Sequence, residues 1–168
     1  LSNVNLLGWS MGCFVIWEYI NKYGEDKIAS NIFVSQGPTD FQWNDWQQGP
    51  FSLESLLGMF RQTQNNIEEL FKGFLPIMFK SPSTQQDIDW MLNENMKLTK
   101  NTASAILIDQ STRDYRTTLQ NIKSKTLLCW GSDEKCVSIS DGNFIRNEIK
   151  KSELIMFNES GHCPFLEE

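Results

Sequence analysis

The residues Gly8-Trp9-Ser10-Met11-Gly12 constrain this chain more than any other segment. They stand between an apolar run, Val4-Asn5-Leu6-Leu7, and a stretch in which Met11, Phe14, Val15, Ile20 and Tyr23 recur near helical spacing until Gly24. A strand must therefore pass into a helix through one sharp turn. Such a turn strains the backbone of its central residue, and side chains at positions 8 and 12 are expected to crowd it, which accounts for glycine at both. The same geometry lifts the Ser10 hydroxyl clear of the strand end. It also leaves the backbone N–H of Met11 at a helix N-terminus, where a free donor and the helix dipole favour negative charge. Ser10 is thus a candidate nucleophile and Met11 N–H a candidate donor to an oxyanion.

The first forty or so residues read strand, helix, strand, with the second strand at Asn31-Ile32-Phe33-Val34-Ser35 and a breaker cluster, Gln36-Gly37-Pro38, after it. This is a βαβ unit, which implies parallel strands joined by a right-handed crossover. From Trp43 to Thr112 the texture becomes helical: Leu56, Leu57 and Phe60, then Leu70, Phe71, Phe74, Ile77 and Met78, make apolar stripes broken at Ser81-Pro82-Ser83. Further helices are expected over Asp87–Met96 and Ala103–Asp109, and most of the stripes are expected to be packing between helices and sheet. The strand and helix rhythm then returns with Thr126–Trp130, Ser140–Ile149 and Glu153–Phe157. The fold class is α/β, a parallel-sheet core with an inserted helical cap. The expected divisions are 1–42 (core), 43–115 (cap) and 116–168 (core).

A serine hydroxyl is a weak nucleophile at neutral pH unless a base takes its proton and an acid holds that base in one tautomer. The chain has a single histidine, His162, in the loop after the last strand. In a parallel sheet that loop opens on the edge where Ser10 also emerges. The acid is expected at another strand end, and Gly131-Ser132-Asp133-Glu134 follows the strand Thr126–Trp130 with two adjacent carboxylates. Asp40 and Asp114 are weaker candidates, the latter better read as an N-cap or a partner for Arg116.

A net charge of −6 with no cluster of Lys and Arg argues against a nucleic-acid partner. No apolar run reaches the roughly 18 residues a membrane span needs. Cys13, Cys129, Cys136 and Cys163 lie singly, without a CxxC pair, and read as reduced, mostly buried thiols of a cytoplasmic protein. With one histidine and scattered cysteines, no metal site is expected.

On these residues the chain resembles the α/β-hydrolase superfamily. The Gly8–Gly12 turn, the order serine, acid, histidine, and the closing Gly161-His162-Cys163-Pro164-Phe165-Leu166-Glu167-Glu168 all follow its pattern. More narrowly, the chain is similar to the capped esterase, perhydrolase and non-haem haloperoxidase group, which has a segment like Asp114-Tyr115-Arg116 before the corresponding strand. The resemblance implies cleavage of a small-molecule carboxylic ester through an acyl-enzyme, with no dissociable cofactor. Ser10 would attack, His162 relay the proton and Met11 N–H steady the oxyanion. The superfamily spacing of Gly, two residues, Asp, two residues, Val-Pro, laid on Gly131 to Ser138, puts Glu134 at the acid position and leaves Asp133 as the alternative. Trp9, Trp43, Trp46 and Phe51 are expected against an apolar acyl group or small aromatic substrate. Perhydrolysis or halide oxidation on the same residues, a receptor of this fold without turnover, and a pseudo-enzyme are the alternatives. The superfamily begins with several strands before the serine turn, and the second oxyanion donor lies there. The chain is therefore expected to be a fragment, with Val4–Leu7 as an exposed apolar edge, and poorly soluble or inactive in isolation.

Overall fold

In the computed structural model, which describes residues 1–168, four parallel strands lie side by side in the order in which the chain makes them. They are β1 (Val4–Trp9), β2 (Ile28–Val34), β3 (Lys125–Gly131) and β4 (Ser152–Phe157). Helix α1 (Met11–Tyr23) connects β1 to β2, and α6 (Ile139–Glu148) connects β3 to β4. Between β2 and β3 run α2 (Leu53–Phe74), a 3₁₀ turn (Leu75–Met78), α3 (Gln85–Asn95), α4 (Lys100–Thr112) and the single turn α5 (Arg116–Leu119), and α7 (Pro164–Glu167) closes the chain. The β2 strand begins three residues earlier than its apolar run, because Ile28, Ser30 and Asn31 pair with β1 although they do not form a continuous apolar stretch. α5, α7 and the 3₁₀ turn are too short to leave a periodic pattern.

Register explains the core. Phe33 lies opposite Leu128, and Leu128 opposite Leu154, so these side chains share one face of the sheet. Against that face pack Phe14, Trp17 and Ile20 of α1, Leu119 of α5 and Ile145 of α6. Trp17, Phe33, Leu119, Leu128, Trp130, Ile145 and Ile149 are wholly enclosed. The opposite face is less covered: Leu7 on the edge strand β1 is 64% exposed, and Ile155 on β4 is 39% exposed.

The helical segment between β2 and β3 starts each long helix on a capping hydroxyl, Ser52 for α2, Thr84 for α3 and Thr99 for α4, each accepting a backbone N–H from the first turn. Asn66, with φ −153 and ψ 72, breaks the helical path inside α2, which therefore bends. The stripes expected to be packing are only half used: Leu56 and Met78 are buried, whereas Leu57, Phe74 and Ile77 remain substantially exposed. A second apolar cluster, Leu75, Met78, Phe79, Met91 and Cys163, joins this segment to the C-terminal loop.

Backbones approach closely at the carboxyl edge. A Cβ on Gly131 would sit 2.0 Å from the Gly161 carbonyl oxygen and 2.4 Å from that of Ser160. Gly131→Ala is expected to cost about 2–4 kcal/mol of stability, read as a lower urea midpoint, because two backbone segments would have to separate. An unchanged midpoint would contradict this packing.

Candidate active site

The turn after β1 is strained where its position requires. Ser10 has φ 51 and ψ −127, outside the usual region for a residue with a side chain, and its N–H donates to the Val34 carbonyl at 2.9 Å. A Cβ on Gly8 would lie 2.8 Å from Cys13 N and from the Gly12 carbonyl, so glycine is obligatory there. A Cβ on Gly12 meets nothing within 4 Å, so crowding accounts for Gly8 but not for Gly12. Met11 opens α1, and its N–H belongs to the first turn, whose donors have no partner within the helix.

The loops after β3 and β4 bring two further expected residues together. Glu134 Oε2 lies 2.9 Å from His162 Nδ1, and the two side chains are 3% and 2% exposed. The other carboxylate oxygen, Oε1, accepts the Cys136 N–H at 2.8 Å. Burial alone would raise the Glu134 carboxyl. The His162 hydrogen bond and charge, the Cys136 N–H and the nearby Ser35 hydroxyl outweigh it and hold the group below the ordinary glutamate value. An ionised Glu134 can only accept, so Nδ1 carries the hydrogen and Nε2 keeps its lone pair. Asp133 points elsewhere: its carboxylate is 43% exposed and pairs with Lys135 at 2.7 Å. Asp114 receives the Arg116 N–H and pairs with its guanidinium, the role expected of it.

Backbone contacts fix the histidine loop. His162 N–H donates to the Met78 carbonyl at 2.7 Å, Gly161 N–H to Glu167 Oε2 at 2.6 Å, and Asp133 N–H to the Ser160 carbonyl at 3.1 Å. Trp9, expected against substrate, is engaged with this loop. Its indole N–H donates to the His162 carbonyl at 2.8 Å, and its ring packs on His162 and edge-on to Phe165. Of the other three aromatics expected against substrate, Trp43 and Phe51 tie residues 39–51 to one another, and Trp46 fastens them to the body. Trp43 donates to Thr39 Oγ1 and packs on Phe41, while Trp46 lies edge-on to Phe144 beneath the Arg116 guanidinium. Phe51 exchanges backbone hydrogen bonds with Asp40 and Gln42. None of these contacts of Trp43, Trp46 and Phe51 is with Ser10 or His162.

The sequence reading missed Gln36, which it treated only as part of a strand-ending cluster. Ser10 Oγ donates to Gln36 Oε1 at 3.4 Å, while Gln36 Nε2 donates to Asp40 Oδ1 at 2.6 Å. Asp40 Oδ2 accepts in turn from Gln110 of α4 at 2.6 Å. A buried carboxylate that only accepts fixes the amide: its NH₂ must face Asp40, so its oxygen faces Ser10. The available signal was position, since Gln36 follows β2 almost directly on the edge that carries Ser10.

Burial pushes the Asp40 carboxyl up to about 6, against the lowering effect of Gln110, Gln36 and His162. Asp141, also buried, is pushed up to about 7, chiefly by burial and with Asp40 adding repulsion. A carboxyl whose folded value exceeds its ordinary value of 3.8 stabilises the fold while neutral, and that contribution is lost as pH rises through the folded value. Native chain is therefore expected to lose stability, relative to Asp40→Asn, as pH rises from 3.8 to about 6. Thermal melts across this window check it, and parallel curves would contradict it.

Comparison with known proteins adds the following. The family model described as alpha/beta hydrolase fold matches residues 1–168. Lipase 1 of Psychrobacter immobilis is 24% identical over 99% of this chain and 52% of its own length. The AB hydrolase superfamily protein YisY of Bacillus subtilis (strain 168) is 26% identical over 100% of this chain and 63% of its own. The chain thus spans between about half and under two thirds of these relatives. Among solved structures, an esterase from Exiguobacterium antarcticum superposes with a TM-score of 0.93 at 25% identity, covering 99% of this chain and 62% of that one. A bromoperoxidase from Bacillus anthracis superposes with a TM-score of 0.90 at 20% identity, covering 96% of this chain and 61% of that one, a likeness of fold alone.

Proposed function

Because this chain belongs to the alpha/beta hydrolase family, we propose that it carries the catalytic residues of a serine hydrolase cleaving small carboxylic esters through an acyl-enzyme. One observation carries the reading: at the edge where Ser10 is held at φ 51, Glu134 lies 2.9 Å from His162 Nδ1. Ser10 Oγ attacks the ester carbonyl while His162 Nε2 takes its proton. Glu134 stabilises the imidazolium so formed, and Met11 N–H donates to the developing oxyanion. His162 then passes the proton to the leaving alcohol. Water, deprotonated by the same nitrogen, releases the acid and regenerates Ser10. Hydrogen peroxide in place of that water would yield a peracid by the same route. No helix of the chain is long and apolar enough to cross a membrane, and the helical segment of residues 43–115 would act as the cap over the substrate.

A second reading, a small-molecule receptor of this fold with little or no turnover, is favoured by one specific contact. The Ser10 hydroxyl donates to Gln36 and not to His162. The deciding measurement is turnover of p-nitrophenyl esters of graded chain length by the full-length protein. Many product molecules per protein support the hydrolase. A single stoichiometric release, or none, supports the receptor.

A further inference from the structure

The loops that hold Glu134 and His162 also carry a side chain that ester hydrolysis does not use. The thiol sulfur of Cys136, a carboxylate oxygen of Glu134 and a ring nitrogen of His162 all lie within 4.8 Å of one another. We propose that these three residues form an inhibitory site for a thiophilic divalent cation of the zinc and cadmium type. The donor set of one thiolate, one imidazole and one carboxylate suits such a metal, and three protein ligands leave a fourth position for water. Charge also balances: thiolate and carboxylate together neutralise the dication, so binding leaves no net charge in a buried place.

The donors are held before any metal arrives. Glu134 Oε1 is fixed by the Cys136 N–H, and the His162 backbone is tied to Met78. Cys136 is partly exposed and gives the ion its way in.

Proton accounting shows why binding inhibits. The metal bonds to Cys136 Sγ, a Glu134 oxygen and His162 Nδ1, and the Nδ1–H to Glu134 hydrogen bond breaks. The thiol proton leaves to solvent and the ring proton moves from Nδ1 to Nε2, with no change of oxidation state. A ring protonated at Nε2 has no lone pair there to take the Ser10 proton. This last step rests on the hydrolase reading above; binding itself does not.

Cadmium supplies a readout independent of turnover, the thiolate-to-metal charge-transfer absorption. Titration of the full-length protein with Cd²⁺ should raise that band at one equivalent, and Cys136→Ser should weaken binding at least about tenfold. Zn²⁺ should suppress ester hydrolysis by the native protein and EDTA should restore it, whereas whatever rate Cys136→Ser shows without metal should resist Zn²⁺. If Cys136→Ser does not fold, Glu134→Gln serves for the binding measurement alone. A band absent from the native protein, or equally strong in the variants, overturns the proposal. A Cys136-dependent band in a protein without ester turnover would sustain the metal site while removing the hydrolase.

Discussion

Ser10→Ala is expected to lower p-nitrophenyl ester hydrolysis by about 10⁴-fold or more, with melting temperature and substrate KM little changed. The expected size follows from what remains. Without the nucleophile no acyl-enzyme forms, and only the Met11 donor and general binding act on a water that nothing positions. The fold should tolerate the change, because the Ser10 side chain caps nothing in α1 and its one hydrogen bond, to Gln36, is long. Relief of the positive φ is not part of the effect, since alanine is strained there too. Equal rates in native and variant protein would remove Ser10 from the chemistry.

Glu134→Gln should cost about 10³–10⁴-fold in kcat, while Asp133→Asn stays within about twofold. Each Glu134 oxygen accepts one hydrogen bond, from His162 Nδ1 and from Cys136 N–H, and an amide has only one acceptor to offer. If the glutamine oxygen faces Cys136, its NH₂ faces Nδ1, forces the hydrogen onto Nε2 and blocks proton transfer from Ser10. If the oxygen faces His162, the Cys136 N–H loses its partner in a nearly closed space. Asp133 has no such duty, being an exposed partner of Lys135. A large loss in Asp133→Asn with a small one in Glu134→Gln would exchange the two roles. Stopped-flow kinetics on the two variants decides between them.

Much of the fold was legible because periodicity reports local geometry. The Val4–Leu7 run, the helical spacing after Ser10 and the apolar strands around Leu128 and Ile155 each give their element from a few neighbouring residues. Ser10, His162 and the Asp133-Glu134 pair were legible for a related reason, since parallel strands deliver their following loops to one edge. Strand-end position alone left Asp133 and Glu134 open, because adjacent residues point to opposite sides and the loop path selects one; only the spacing shared with the superfamily favoured Glu134. The fates of Trp9, Trp43, Trp46 and Phe51 lay further out of reach. An aromatic ring fills a cleft or fastens a loop equally well, and the choice depends on partners such as the His162 carbonyl, Thr39 and Phe144 that are distant in sequence or unmarked by pattern. Gln36 escaped because a neutral amide carries no chemical signature until its neighbours are known.

The join between the 3₁₀ turn and the histidine loop bears on how proteins of this kind diversify. Met78 accepts the His162 N–H, a Cβ on Gly161 would lie 2.9 Å from the Met78 carbonyl oxygen, and Glu167 receives the N–H groups of both Lys80 and Gly161. A grafted helical insert from another relative would replace half of these contacts while leaving the other half behind. The segment is therefore not an exchangeable module along its whole length: a chimera that keeps the histidine in register must transplant residues 76–81 together with 159–167, and drift in one stretch is tolerable only with matching drift in the other.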